Sequence, residues 1–198
     1  MTPAPVVVRL GGWLFRHRTW LPLPLAAALI FTPPPGTASA SWFWLAGLAL
    51  AAVGESLRLW GVHHIGAISR TRSDRLGPLV DSGPFGYVRN PLYLGNIALW
   101  AGFAVMAQLP WLAPAIVAVL ACEYAAIVRW EEDLLAARLG DRYREYCRRV
   151  PAWLPLPRAA TSSPLSPVFS WRDTLFSERG TLIAIAVGIV LLLVKRHL

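Results

Sequence analysis

The segment GPFGYVRNPLYLGN, Gly83–Asn96, decides the fold, because a polar stretch of the chain passes there into an apolar one. Pro91 suits the first turn of a helix, where no backbone N–H is needed. Gly83 and Gly86 allow the backbone to approach a ligand closely. Free N–H groups at a helix start can receive an anion or a carboxylate. The segment therefore predicts that a polar ligand is held where a membrane helix begins.

The composition indicates a chain that is solvated largely by lipid. Of the 198 residues, 56% are hydrophobic and 15% are charged, whereas a soluble domain carries about 25% charged residues. The formal net charge is +8, but the charges lie between apolar segments, as in a positive-inside membrane topology. We therefore predict membrane lipids, and no nucleic acid, as partners. Cys122 and Cys147 are far apart in sequence, so we expect neither a disulfide nor a metal site.

Five apolar segments define the predicted fold. In chain order they are Trp20–Phe31, Trp42–Val62, Tyr93–Gln108, Trp111–Val128 and Gly180–Val194. A helical span needs about 20 apolar residues, so the second and fourth qualify alone, and the third qualifies if its helix begins in the opening segment. The first and fifth are marginal. We predict an all-α fold, a polytopic membrane helix bundle of four to five transmembrane helices with a cytoplasmic C-terminal helical cap.

The distribution of charge predicts the orientation. The loop 32–41 and the turn 108–110 carry no charge, whereas arginines fill the loops of the opposite side. The positive-inside rule places that basic side, and the site, in the cytoplasm of a bacterial-type cell. If the fifth segment spans, Lys195 and Arg196 lie outside against the rule; it can instead lie in the interface. A cleaved signal peptide ending near Ala40 is an alternative for the N-terminus.

The chain divides into three predicted parts. Residues 1–60 form an N-terminal helical hairpin, residues 61–155 a catalytic core, and residues 156–198 a linker with a C-terminal apolar helix. The linker is expected at 161–170, which is rich in serine and proline.

Three ionisable residues lie within the apolar segments, where each costs about 2.5–3.5 kcal/mol at mid-bilayer unless it is paired. Glu55 and Arg58 are three residues apart, so we expect them to form an ion pair on one helix face. Glu123 has no oppositely charged neighbour before Arg129. It is therefore a candidate catalytic residue, or a protonated or water-bonded glutamate that faces the bundle.

The fourth segment continues into RWEEDLLAARLGDRYREYCRRVP, residues 129–151. We expect its helix to end at a left-handed Gly140 and Asp141 to cap a second short helix, which carries Tyr143 and Tyr146.

A polar cavity is expected where the two segments meet. The third and fourth helices are joined by a three-residue turn, so they are antiparallel neighbours. This brings Arg89, Tyr93, Glu131 and Glu132 to one cytoplasmic cavity. Alternatively, Arg89 reaches the lipid headgroups and the two glutamates cap a solvated helix.

These two blocks resemble those of the isoprenylcysteine carboxyl methyltransferase and phospholipid methyltransferase families of integral membrane enzymes. The family pattern is Gly-x-(Tyr/Phe)-x-x-x-Arg-His-Pro-x-Tyr-x-Gly, followed by Glu-Glu-x-x-Leu, Phe-Gly-x-x-Tyr-x-x-Tyr and Val-Pro. The matching residues here are Gly83, Phe85, Arg89, Pro91, Tyr93, Gly95, Glu131, Glu132, Leu135, Gly140, Tyr143, Tyr146, Val150 and Pro151. Asn90 stands where the family has histidine, so binding can survive but this position cannot act as a base.

The resemblance implies an enzyme that uses S-adenosylmethionine as methyl donor and a lipophilic or small acceptor with a carboxylate, thiol or amine. It implies a donor site formed by Arg89, Asn90, Tyr93, Gly95, Glu131, Glu132, Tyr143 and Tyr146. Arg89 and Glu123 are the candidate catalytic residues, and an arginine can hold the donor's carboxylate through two hydrogen bonds. Two alternatives remain open, a membrane reductase of the sterol-reductase type with a nicotinamide cofactor and a non-catalytic membrane protein.

Overall fold

A computed structural model of the protein describes residues 5–34, 41–66, 79–160 and 168–197. Within these ranges it contains seven α-helices, a short 3-10 turn at Gly83–Gly86 and no strand, which confirms the all-α prediction. The helices are α1 Val6–His17, α2 Leu23–Phe31, α3 Ser41–Ile65, α4 Pro91–Met106, α5 Ala113–Leu139, α6 Asp141–Arg149 and α7 Trp171–His197. The charge-free loop 32–41, the signal-peptide end near Ala40, the basic loop around Arg72 and the linker 161–170 lie wholly or partly outside the described ranges.

Three described helices, α3, α5 and α7, are long and apolar enough to cross a bilayer. The helix α4 is apolar but has only 16 residues, or about 24 Å at 1.5 Å per residue. The helix α2 has nine residues, because Pro22 and Pro24 confine its start and Pro33 follows its end. The number of full-length spans is therefore somewhat lower than the predicted four to five, although the helical membrane bundle itself is confirmed.

The fifth apolar segment forms most of α7, which runs antiparallel to α3. Near the end of α3, the ring of His63 stacks on Trp171 with centroids 4.1 Å apart. Near the start of α3, the guanidinium of Arg196 lies 5.8 Å from the centre of the Trp44 ring. The helix α7 thus runs the length of α3, and its basic end lies beside the start of α3.

The helices α3 and α4 pack backbone against backbone through glycines. A Cβ atom on Gly54 of α3 would lie 2.6 Å from the carbonyl oxygen of Gly95 on α4. Two helical turns away on each helix, a Cβ on Gly102 of α4 would lie 2.7 Å from the carbonyl oxygen of Gly47 on α3. Small residues let membrane helices approach in this way. This contact fixes the position of the N-terminal end of α4, where the polar segment begins.

The first two helices pack against the rest of the bundle at its two ends. The helix α1 packs against the second half of α5, where Gly11 contacts Ala126. The centroids of the Phe15 and Trp130 rings lie 4.7 Å apart. The helix α2 then runs back toward α7, where Lys195 Nζ donates to the Leu29 carbonyl at 2.6 Å. Both helices therefore lie beside the site.

Candidate active site

All seven helices contribute to one cavity of about 1060 Å³. One lining residue from each helix, in chain order, is Phe15, Leu29, Arg58, Tyr93, Glu131, Tyr143 and Thr181. The polar lining residues form two groups, one at the start of α4 and the end of α5, and one deeper between α3, α4 and α7. We call these the mouth cluster (Arg18, Arg89, Asn90, Tyr93, Glu131 and Glu132) and the inner cluster (Arg58, Asn96, Glu178 and Thr181, with Glu55, which binds Arg58 but does not line the cavity).

Arg89 holds the mouth cluster together. Its Nε and Nη2 donate to Oε1 of Glu132 at 3.2 and 2.7 Å, and its Nη1 donates to the carbonyl oxygens of Cys147 and Val150 at 3.1 and 2.7 Å. Burial alone lowers the pKa of Arg89, but the hydrogen bond and charge of Glu132 more than offset this, so its pKa is raised and it stays charged. The predicted meeting of the two sequence blocks is therefore present in the structure.

These contacts change the role expected for Arg89. A guanidinium has five N–H donors, and four of them already bind groups of the protein. In this arrangement Arg89 cannot hold a ligand carboxylate through two hydrogen bonds. It acts instead as a tie between the loop before α4, the end of α5 and the end of α6, and it fixes the position of the Glu132 carboxylate.

The segment 151–160 lies across the opening segment and fixes Asn90. The backbone N–H of Arg89 donates to the Pro151 carbonyl at 2.9 Å, and the side-chain amide of Asn90 donates to the Ala152 carbonyl at 3.0 Å. Further along, the N–H of Leu156 donates to the Tyr87 carbonyl at 3.0 Å. Asn90 therefore lines the cavity in a fixed orientation, with its amide nitrogen bound to the backbone.

Glu131 lies in the mouth cluster beside a phenol and a second guanidinium. The Tyr93 hydroxyl donates to the Glu131 carboxylate, and the Tyr93 ring stacks on Tyr124 at 4.7 Å. Arg18, which follows α1, is close enough to interact with both Tyr93 and Glu131. Sequence reasoning missed Arg18, because nothing in the sequence shows that α1 packs along α5.

Tyr143 and Tyr146 are the residues of α6 that line the cavity. The Tyr146 hydroxyl donates to the Phe85 carbonyl at 2.8 Å, and the two rings lie 6.1 Å apart. Burial raises the pKa of Tyr143, and the charge of Glu132 raises it further. Burial also raises the pKa of Tyr146, despite the nearby Arg89. Both phenols are therefore neutral hydrogen-bonding groups near pH 7.

The expected cap of α6 is wrong in detail. Gly140, with a φ of 56°, occupies the N-cap position, and Asp141 is the first helical residue. The Asp141 carboxylate accepts from Arg144 at 2.7 Å and makes no capping hydrogen bond. A carboxylate at the first helical position still interacts favourably with the helix dipole, and the helix begins one residue earlier than the sequence predicts.

Two predicted site residues do not line the cavity. Gly95 faces α3, where a Cβ would lie 2.6 Å from the Arg58 side chain, so it serves helix packing. Glu123 is also absent from the lining, whereas the next residue, Tyr124, is part of it. One residue turns an α-helix by about 100°, so the helix directs Glu123 away from the site. This placement does not support a catalytic role for Glu123.

The inner cluster centres on Arg58. Its Nε donates to Glu55 Oε2 at 3.0 Å, which confirms the predicted ion pair, and its Nη2 donates to Glu178 Oε2 at 2.7 Å and Thr181 Oγ1 at 3.4 Å. Its Nη1 donates to Asn96 Oδ1. Sequence reasoning missed Glu178, although a glutamate seven residues into a membrane helix is a signal of the same kind as Glu55.

Residues 42–142, about half of the chain, match the sequence profile of the phospholipid methyltransferase family. The chain belongs to the phospholipid methyltransferase family. The match begins in α3 and ends in α6, so it contains most of the mouth cluster. Together with a relative named as a methyltransferase, it supports a membrane methyltransferase.

Three curated relatives of this phospholipid methyltransferase family member were found. The nickel-cobalt-cadmium resistance protein NccN of Alcaligenes xylosoxydans xylosoxydans is 27% identical over 155 residues, 74% of this chain and 68% of NccN. The cobalt-zinc-cadmium resistance protein CzcN of Cupriavidus metallidurans is 32% identical over 109 residues, 55% of this chain and 46% of CzcN. Protein-S-isoprenylcysteine O-methyltransferase B of Arabidopsis thaliana is 29% identical over 137 residues, 67% of this chain and 68% of that protein. No solved structure matches the chain.

Proposed function

We propose that this protein transfers a methyl group from S-adenosylmethionine to an acceptor that enters the cavity from the bilayer. The observation that carries the proposal is the mouth cluster, in which Arg89, Glu131 and Glu132 of the family-matched core line one cavity together with Arg18, which precedes that core. The apolar part of the same cavity, formed by residues such as Leu99, Phe103 and Leu192, suits a lipophilic acceptor. The proposal places the mouth in the cytoplasm, in accordance with the positive-inside rule.

The residues of the mouth cluster fit the chemistry of the methyl donor. The donor carries an ammonium and a ribose diol, for which the carboxylates of Glu131 and Glu132 are suitable acceptors. It also carries a carboxylate, for which Arg18 is the better candidate, since Arg89 has four donors bound within the protein. A cavity of about 1060 Å³ is at the upper end of the range of ligand pockets, roughly 300–1,000 Å³, so it has room for the donor and part of an acceptor.

The residues of the protein would position the reactants rather than react with them. The bound donor supplies a methyl group on a sulfonium that is already activated, so alignment and exclusion of water are the main requirements. Arg89 keeps Glu132 in place, and the Tyr93 hydroxyl keeps Glu131 in place. The fixed carboxylates then define where a cationic ligand lies, and the apolar walls keep water out.

Two relatives are named for resistance to metals. Metal binding is therefore weighed against methyl transfer as the activity of this chain. Among the described residues, no group of three or more His, Cys, Asp and Glu is arranged to hold a metal ion. The cavity instead offers paired charges and apolar walls. We therefore propose methyl transfer, rather than metal binding, as the activity of this chain.

Binding of labelled S-adenosylmethionine to the protein in lipid nanodiscs tests the proposal. We expect saturable binding that Glu132→Gln weakens by about ten-fold or more, as for loss of a charged hydrogen bond. Glu145→Gln is the matched control, because Glu145 lies on the exposed side of α6 and binds Arg148 at 2.8 Å. Absence of saturable binding, or equal effects of both variants, would contradict the proposal. Tighter binding of a reduced nicotinamide cofactor would favour the reductase alternative.

A further inference from the structure

One histidine of the chain, His64, lines the cavity. It is the last residue but one of α3, and its ring packs against Gly83, which begins the 3-10 turn six residues before Arg89. His64 therefore lies on the mouth side of the cavity. The other three histidines, all among the described residues, do not line it; they are His17, His63 and His197.

One ring nitrogen of His64 is bound to the backbone of its own helix. Nδ1 lies 2.9 Å from the carbonyl oxygen of Trp60. A carbonyl oxygen can only accept a hydrogen bond, so Nδ1 carries the proton, and Nε2 of the neutral ring keeps a lone pair. Nε2 makes no hydrogen bond to any residue that the structure describes. His64 thus presents a proton acceptor on a ring whose orientation is fixed.

Gly83 leaves room for this nitrogen. A Cβ atom at position 83 would collide with the Nε2, Cε1 and Cδ2 atoms of His64. Gly83 also has a φ of 57°, a conformation that glycine adopts without a steric penalty. Any other residue at this position would therefore place its side chain over the ring edge that carries the lone pair. Glycine serves the imidazole as well as the turn.

Other candidates for accepting a proton in the cavity are engaged or point elsewhere. Asn90 cannot take a proton, and Glu123 does not line the cavity. Glu132 and Glu178 are each paired with an arginine, and an opposite charge makes a carboxylate a weaker base. Glu131 already accepts a hydrogen bond from a tyrosine hydroxyl. The imidazole is therefore the best-placed base.

We propose that His64 is the general base of the methyl transfer, and that the acceptor is a group that must lose a proton, such as a thiol or a phenol, rather than a carboxylate. The inference rests on the proposed function and adds a proton transfer to the positioning described above. As the donor's sulfur–methyl bond breaks, its electron pair stays on that sulfur. The acceptor's sulfur or oxygen forms the new bond to the methyl group, and the acceptor's proton passes to Nε2. The imidazolium then returns this proton to water.

Several titratable groups surround His64 and influence its protonation. The ring of His63, on the same helix, has its centre 5.6 Å from that of His64. The segment around Gly83 carries Asp81 and Tyr87. Charged side chains of both signs line the same cavity; they are Arg18, Arg58, Arg89, Glu131, Glu132 and Glu178. A test of the base therefore compares the pH dependence of two proteins instead of relying on one pH.

Solid-state NMR of the protein with isotope-labelled histidine, in nanodiscs, tests the base without any methyl donor. The variant His64→Gln identifies the His64 signal. At about pH 8, where a histidine is ordinarily neutral, we expect Nε2 to be unprotonated. Its resonance should shift when dodecanethiol is added, because the thiol donates a hydrogen bond to it. Dodecanoate is ionised and has no proton to donate, so it should cause no shift. A protonated Nε2 in the free protein, or the same response to both compounds, overturns the inference.

Transfer of labelled methyl groups to dodecanethiol, measured against pH, then tests the role in catalysis. We expect His64→Gln to lower kcat by about a hundred-fold or more, as for loss of a general base, with an unchanged KM for the donor. The activity of this variant should recover as the pH is raised, because the thiol then ionises by itself. The matched control is His63→Gln, since His63 stacks on Trp171 outside the cavity; it should keep the wild-type kcat.

The remaining outcomes separate this inference from the proposed function. A pH profile of His64→Gln equal to that of the wild type assigns the proton to another group, such as Glu131, and overturns the inference. Transfer to dodecanoate alone overturns it as well. Failure of labelled S-adenosylmethionine to bind, with the NMR response to the thiol retained, rejects methyl transfer alone. Donor binding with no NMR response to the thiol rejects the role of His64 alone.

Discussion

The helix α4 and the helix α7 are both joined to α3, but by different means. Between α3 and α4, glycines such as Gly54 and Gly95 bring the two backbones together, and a side-chain hydrogen bond from Arg58 to Asn96 crosses the same contact. Between α3 and α7 the joint is polar, with Arg58 bound to Glu178 and His63 Nδ1 lying 3.2 Å from Thr174 Oγ1. Much of α7 is exposed to the surroundings of the bundle.

The difference shows which wall of the cavity is fixed and which is held at a few points. Close packing of backbones has no alternative arrangement at similar energy, since interiors are close-packed. A helix that is held by a few hydrogen bonds can separate when those bonds exchange partners. The α3–α4 joint therefore fixes the start of α4, whereas α7 is held through side chains, by the polar contacts of Arg58 and His63 and by the burial of Leu192.

The largest expected effect is at Arg58, where the two joints meet. Arg58→Met removes the guanidinium that forms the ion pairs with Glu55 and Glu178. Removing one partner of a buried ion pair destabilises by about 3–5 kcal/mol. We expect a large drop in the midpoint of thermal unfolding in nanodiscs. A midpoint within a degree of the wild type would show that the inner cluster does not hold the helices together.

The next effect concerns the glycine joint alone. We expect Gly54→Ala to destabilise by about 1–3 kcal/mol, as overpacking does, because its Cβ would lie 2.6 Å from the Gly95 carbonyl oxygen. Gly61→Ala is the control on the same helix, since its Cβ would meet the side chains of Leu92, at 3.3 Å, and Pro91, at 3.8 Å, and no backbone atom as near. The measurement is the yield and thermal stability of each protein. Equal tolerance of both alanines would mean that α3 and α4 are not in backbone contact.

A smaller effect is expected at the start of α7. Thr174 is 1% exposed, and its hydroxyl donates to the Ser170 carbonyl at 3.0 Å. Thr174→Val keeps the shape and removes the hydrogen bonds, at a cost of about 0.5–1.5 kcal/mol. We expect faster hydrogen exchange in α7 and unchanged exchange in α4. Faster exchange in both helices would show that the joints are not independent.

The smallest effect is expected at the other end of α7. Lys195 Nζ donates to the Leu29 carbonyl of α2, but an ammonium near a helix end can be solvated at the membrane surface. Lys195→Met should therefore change stability by only about 0.5 kcal/mol, the lower end for one hydrogen bond. Hydrogen exchange of α2 and of the last turn of α7 should increase locally. Global unfolding of the protein on this change would show that α2 holds the bundle more strongly than its short length suggests.

The sequence was sufficient for features that depend on local periodicity and short connections. The helices α3, α4 and α5, the Glu55–Arg58 pair and the approach of Arg89 to Glu132 were all predicted. The last follows because the connection after α4, residues 107–112, is short and therefore favours an antiparallel hairpin. These parts of the fold are encoded within a few residues or by one tight connection.

The remaining features depend on contacts between distant parts of the chain. Packing of α1 on α5 brings Arg18 to the mouth cluster, and α7 brings Glu178 to Arg58 across 120 residues. Hydrophobic periodicity shows that a helix has an apolar face but not which helix covers it. The hydrogen bonds that Arg89 makes within the protein were also not predicted. Its partners include the backbone carbonyl oxygens of residues 147 and 150, which no pattern of side chains in the sequence reveals.

All seven described helices line one cavity. A ligand bound in this cavity would therefore contact every one of these helices. Residues as far apart in sequence as Phe15 and Leu192 would contact the same ligand. A ligand that binds only the folded chain stabilises the fold in proportion to the logarithm of the ligand's concentration. The natural ligands of the cavity would thus stabilise the folded protein in addition to taking part in its reaction. Membranes rich in them should accumulate more of this protein than membranes that lack them.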